Sequence, residues 1–221
     1  MMKQIPGVAA ATLFLMAVVL CVGLTACEDN GGGGVLGAGY NFGDNDPNTM
    51  LAMGDSITAG SSNPGGIPYP ARLAAATGRT VVNRGNGGTS SSYGAGTVNN
   101  NLLQYKPGYL LILYGIIDIE NGSSEDAIIA NLRTMITAAR SNQTIPVLAT
   151  LTPVFDSHEM YAASVRSVNE RIRQLAGSEN VPLADVGGAL EGQRQLFLED
   201  GLHPNDEGEQ AIASVFYGVL M

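Results

Sequence analysis

Tyr109-Leu110-Leu111-Ile112-Leu113-Tyr114 is an apolar run with no polar interruption. A run of this length that never alternates reads as a β-strand covered on both faces, the condition of a strand inside a parallel sheet. On the amino side, Thr49-Met50-Leu51-Ala52-Met53 and Thr80-Val81-Val82-Asn83 read as two further strands, and on the carboxyl side Ile145 to Thr150 and Val181 to Val186 read as two more. Helical stretches separate them. Tyr69 to Thr77 is stopped by Gly78, Ser124 to Arg140 carries a capping serine and two acids in its first turn, and Tyr161 to Ala176 follows. Asn205 can cap a last helix running to about Leu220. Strands alternating with helices predict an α/β fold, a three-layer α/β/α sandwich around a five-stranded parallel sheet. In such sheets functional groups come from loops at the carboxyl ends of the strands, so the members of any site should follow strands.

The chain of 221 residues is 45% apolar and 14% charged, which describes a globular protein with a full core. A net charge of -9 argues against nucleic-acid binding, which needs a basic face to meet phosphates. Residues 1–26 read as an export signal: Lys3, an apolar stretch from Val8 to Leu20, then Leu24-Thr25-Ala26-Cys27. That closing tetrapeptide resembles the bacterial lipobox, which implies acylation of Cys27 and anchoring of an exported protein in the cell envelope. Cys21 lies inside the apolar stretch, so cleavage before Cys27 leaves no thiol pair for a disulfide. Residues 27–47, rich in Gly, Asn and Asp, are expected to form a flexible tether, with the folded domain over 48–221. Contact with a membrane is expected through the N-terminal lipid only.

Gly54-Asp55-Ser56 leaves the first strand. A serine there can raise its hydroxyl at the sheet edge and offer its own N–H to a developing oxyanion. Gly-Asp-Ser alone is equally a turn or a helix cap. Serine needs a neighbour to take its proton, and only His158 and His203 are imidazoles. His203 lies in Asp200-Gly201-Leu202-His203-Pro204, after the fifth strand and before the last helix. An aspartate three residues before a histidine can fold back in one turn and hold Nδ1–H, leaving Nε2 for the serine. The spacing around Ser56 is not Gly-x-Ser-x-Gly, so the α/β-hydrolase elbow does not apply. Two distant histidines offer no metal-ligand spacing, and no metal or cofactor is expected.

Gly54-Asp55-Ser56 near one end of the domain and Asp200-x-x-His203 near the other resemble the first and last blocks of the SGNH/GDSL hydrolase family, over about residues 49 to 219. The resemblance implies a flavodoxin-like sandwich and an esterase or acylhydrolase with catalytic Ser56, Asp200 and His203. Its substrate would be a small ester or an acylated glycan or lipid. Asn83-Arg84-Gly85-Asn86-Gly87-Gly88-Thr89 is similar to the family's second block. That places an oxyanion-hole N–H on Gly88, with Gly85 as the alternative. The third block departs from the pattern. Where the family has Gly-x-Asn-Asp, this chain reads Gly115-Ile116-Ile117-Asp118, and Ile117 cannot donate a hydrogen bond. Asn121 or Asn86 could supply the missing donor. Ile117 therefore keeps a rival open: a weakly active or non-catalytic binding lipoprotein on the same fold. A flavodoxin-like nucleotide-binding domain ranks last, because Gly85-x-Gly87 lacks the rest of a phosphate loop. Thr152-Pro153-Val154-Phe155 resembles a loop lining the family's cleft, and His158 after it reads as an exposed loop residue or a substrate contact. Asp55 and Asp118 read as supports of their loops, and Glu120 and Glu159 as solvated.

Overall fold

In the computed structural model, the residues described are Met1, 35–63 and 65–221. The expected export signal beyond Met1, Cys27 and the first part of the expected tether lie outside them. Five parallel strands form one sheet in the order β2-β1-β3-β4-β5: β1 Asp46–Gly54, β2 Thr80–Gly85, β3 Pro107–Leu113, β4 Ile145–Ala149 and β5 Leu183–Ala184. Every residue of β3 and β4 is buried, as unbroken apolar runs require.

The helices are α1 Ser56–Ala59, α2 Tyr69–Thr77, α3 Ser91–Tyr105, α4 Ile116–Glu120, α5 Glu125–Ser141, α6 Ala162–Glu179, α7 Val186–Leu190 and α8 Asp206–Leu220. One 3₁₀ turn spans Asp156–Tyr161 and another Arg194–Leu196. Right-handed crossovers place α3, α5 and α6 on one face of the sheet and α2 with α8 on the other. The stacked rings of Tyr69 and Phe216, 5.2 Å apart, seal the α2–α8 layer. Ser124 accepts from Ala127 N–H and Asn205 from Glu207 and Gly208 N–H, so both expected caps form. Among the described residues no helix is long and apolar enough to cross a membrane.

Three elements differ from the sequence expectation. Helix α3 was not foreseen, because Gly94, Gly96 and Asn99-Asn100-Asn101 are poor helix formers. Packing overrides propensity there: a Cβ on Gly94 would stand 2.7 Å from the Tyr114 ring, so glycine lets α3 settle onto the sheet. Strand β5 shrinks to two residues. Pro182 has no N–H for the ladder, and Asp185 turns out of the sheet to cap α7 by accepting from Gly188 N–H. The described part of the expected tether, 35–47, packs on the domain instead of hanging free. Leu36 N–H donates to Leu220 O at 3.2 Å, the Tyr109 hydroxyl donates to Leu36 O at 2.6 Å, and the Phe42 ring lies 5.5 Å from that of Tyr109. Leu36 and Phe42 bury enough apolar surface to order a segment whose composition otherwise favours disorder.

Candidate active site

Strands β1, β2 and β3 end level with one another: Gly54 is paired with Gly85 on one side and Leu113 on the other. The strand order reverses direction at β1, the switch point beside whose carboxyl end sheets of this kind carry their sites. Gly54 has to be glycine, since a Cβ would meet Thr58 Oγ1 at 2.0 Å and Leu113 O at 2.6 Å. Asp55 then caps α1, its carboxylate accepting from Ile57 N–H at 2.9 Å. Ser56 is the first residue of that helix, where its own N–H has no intrahelical acceptor. Burial pushes the Asp55 carboxyl up to about 7. The Ile57 N–H opposes this, and the neighbouring acids Asp118 and Glu120 add to it. Asp55 is thus a structural cap under the serine.

The Ser56 hydroxyl lies 2.9 Å from His203 Nε2, and His203 Nδ1 lies 2.7 Å from Asp200 Oδ2. The Asp200 turn forms as the spacing anticipates. Its second oxygen, Oδ1, accepts from Leu202 N–H at 2.9 Å and His203 N–H at 3.0 Å. Burial raises the Asp200 carboxyl, but the His203 side chain and these two N–H groups outweigh it and hold the group below the ordinary range. An ionised acceptor at Nδ1 fixes the tautomer and leaves Nε2 to accept from Ser56. Gly201, at φ +71°, makes the turn possible and sits against Phe155 O, where a Cβ would come within 2.3 Å.

The second loop separates the two glycines proposed as donors. Gly85 N–H is taken by Asn83 Oδ1 at 2.9 Å, and a Cβ there would strike Ala59 N at 2.2 Å, so Gly85 is a packing glycine. Gly88 adopts φ +73° with open space around it, and its N–H makes no hydrogen bond among the described residues. Gly87 beside it borders Ser56, its Cβ position lying 3.7 Å from Ser56 Cβ. The loop is held by Asn86 N–H to Gly54 O at 2.9 Å. The Asn86 side chain is exposed and makes no hydrogen bond among the described residues, and the same holds for Asn121 at the end of α4. Ile117 packs its side chain against the hydrophobic core.

Two readings change. His158 and Glu120 are neither free nor fully solvated: their side chains are 24% and 25% exposed, with Nε2 3.5 Å from Oε1. His158 Nδ1–H donates to the main-chain oxygen of Asp200 at 2.8 Å. Only the position of His158 after β4 could have signalled this, since its partner is a backbone atom with no sequence mark.

Residues 52–211 match the GDSL-like Lipase/Acylhydrolase family. The chain belongs to that family and is, by class, a hydrolase of ester bonds. Its fold is shared with a lipolytic protein of the G-D-S-L family from Desulfitobacterium hafniense DCB-2, at TM-score 0.70 and 23% identity over 78% of this chain and 99% of that one. A GDSL-like lipase from Bacteroides thetaiotaomicron superimposes at TM-score 0.66 and 20% identity, covering 78% and 87%. An acetylxylan esterase from Geobacillus stearothermophilus, solved as a catalytic mutant, does so at 0.67 and 19%, covering 77% and 93%. No curated protein matches the chain in sequence.

Proposed function

We propose that the protein is a serine esterase that works through an acyl-enzyme on Ser56. The hydrogen-bonded series Ser56 Oγ, His203 Nε2, His203 Nδ1 and Asp200 Oδ2, at 2.9 and 2.7 Å, carries this reading. His203 takes the hydroxyl proton as Ser56 attacks an acyl carbonyl, then returns it to the departing alcohol. Asp200 orients the ring and stabilises the imidazolium. The N–H groups of Ser56 and Gly88 receive the oxyanion. Ile117 adds no donor, and loss of one such donor costs about 10²–10³ in rate. Water activated by His203 then releases the acid. The substrate is a small carboxylic ester or an acylated glycan or lipid. The Leu24-Thr25-Ala26-Cys27 pattern supports export and lipid anchoring in a bacterial envelope.

Hydrolysis of short p-nitrophenyl esters by the wild type and Ser56→Ala tests the assignment, with a fall of about 10³-fold or more expected. Equal rates would remove Ser56 from the mechanism. Ile117 favours a second reading, a binding lipoprotein with residual activity. Failure of a fluorophosphonate probe to label Ser56 in folded protein would select it.

A further inference from the structure

We propose that His158 is a positioning residue of this site, bracing the turn that carries the catalytic acid against helix α4. The inference rests on the esterase reading just given.

The Asp200 turn is short, with Gly201, Leu202 and Pro204 buried beside a partly exposed Asp200, and its acid must hold the His203 ring at one angle. Its own residues fix the carboxylate and close the loop, Gly201 N–H donating to Leu198 O at 3.0 Å and Leu198 N–H to His203 O at 2.8 Å. From outside, the main chain of the turn is held by the Phe155–His158 segment. Phe155 N–H donates to Gly201 O at 2.8 Å. The main-chain oxygen of Asp200 accepts twice, from Ser157 Oγ at 3.0 Å and from His158 Nδ1 at 2.8 Å, which fills both lone pairs. Donation from Nδ1 turns Nε2 the other way, to 3.5 Å from Glu120 Oε1, a contact that attracts when the ring is the imidazolium with a proton on both nitrogens. The ring thus stands between two elements, the acid's turn after β5 and α4 after β3.

Helix α4 is itself fixed. Asp118 accepts from Ser91 N–H and Oγ–H, at 2.7 and 2.6 Å, which ties α4 to the start of α3 and so to the end of the Gly88 loop. Glu120 stands one helical turn after Ile117 and on the same face. One imidazole therefore joins the base-orienting acid to the frame that carries the oxyanion loop. Geometry between those two parts is what a transition state requires, and errors of an ångström are costly in rate.

The test compares His158→Ala, His158→Asn and Glu120→Gln in the full-length protein. An asparagine amide can take the place of Nδ1–H and keep donation to Asp200 O, but it cannot reach Glu120. For His158→Ala we expect kcat to fall about tenfold, KM to move by less than about twofold, and fluorophosphonate labelling of Ser56 to slow in parallel. His158→Asn restores the donor to Asp200 O but not the contact with α4, so it should recover only part of the loss, and Glu120→Gln should match it. The low-field proton resonance of His203 Nδ1–H gives a readout independent of turnover. It should broaden or shift in His158→Ala and return in part in His158→Asn. Unchanged kcat and an unchanged resonance in His158→Ala would overturn the inference. So would a lowered melting temperature with no rescue by asparagine, which marks a role in folding alone. If the wild type neither hydrolyses esters nor labels, the esterase reading fails, and the resonance by itself decides whether His158 positions the turn.

Discussion

Asp118 accepts both hydrogen-bonding protons of Ser91, the N–H at 2.7 Å and the Oγ–H at 2.6 Å. Both residues are buried, so the start of α4 cannot slide along α3 without leaving a buried carboxylate unpaired. The position of Gly115-Ile116-Ile117-Asp118 is thereby fixed, with Ile117 held at the place where the sequence resemblance expects an asparagine. Ile117→Asn should then raise kcat on p-nitrophenyl acetate by tenfold or more, within the limit of about 10²–10³ set by one oxyanion donor. A variant no faster than the wild type would mean that another group already fills the role.

That group can be looked for directly. Asn86→Ala and Asn121→Ala should each leave kcat within about twofold, because neither side chain is held by a hydrogen bond that would aim it at the site. A fall of about 10²-fold in either would identify the substitute donor.

Asp200→Asn keeps the shape of the turn but removes the anionic acceptor at His203 Nδ1. The imidazole can then present its proton to Ser56 instead of accepting one. We expect kcat to fall by about 10⁴-fold with little change in melting temperature.

Glu209 is buried, accepts from Tyr69 N–H at 2.8 Å, and helps dock α2 on α8. Burial, opposed by that N–H and by Arg72, pushes its carboxyl up to about 7 from an ordinary value of 4.5. The folded state therefore binds a proton more tightly than the unfolded chain. The stability this gives is fully present below pH 4.5 and is lost as pH rises through about 7. Asp55, also raised to about 7, acts in the same direction. Glu209→Gln keeps an acceptor without the charge. It should flatten the fall in stability between pH 4.5 and 7 and be more stable than the wild type at pH 8, by roughly 3 kcal/mol. Parallel curves of melting temperature against pH for the two proteins would refute the assignment.

Two buried tyrosines offer an opposed pair. The Tyr69 hydroxyl meets Thr58 Oγ1 at 3.1 Å, whereas the Tyr114 hydroxyl, among the described residues, has no hydrogen-bond partner. Tyr69→Phe strands the Thr58 hydroxyl and should cost about 1 kcal/mol or more. Tyr114→Phe should cost nothing and can gain about 1 kcal/mol, as chemical denaturation would measure.

What the sequence made legible follows from the range of each interaction. The β3 run declares a doubly covered strand because burial on both faces leaves no room for polar alternation. Asp200 and His203 were readable because their contact closes within one turn. Ser56 was readable because a glycine-assisted exit from a strand is a local event. Helix α3 was hidden because its stability comes from Gly94 meeting Tyr114, a contact between distant positions that propensity ignores. The bracing by His158 was hidden because it ends on a carbonyl oxygen, which every residue has. Strand β5 was overestimated because Pro182 and the capping of α7 by Asp185 count more at a sheet edge than apolar composition does.

The hydrogen bond from Tyr109 to Leu36 has a directional consequence. Tyr109 stands near the amino end of β3 and Ser56 just beyond the carboxyl end of β1, so residues 35–45 join the domain at the pole opposite Ser56. Strands of this length separate the two poles by roughly 20 Å. Residues 35–45 therefore cover the end of the sheet away from Ser56 and leave the edge that carries Ser56 and His203 clear.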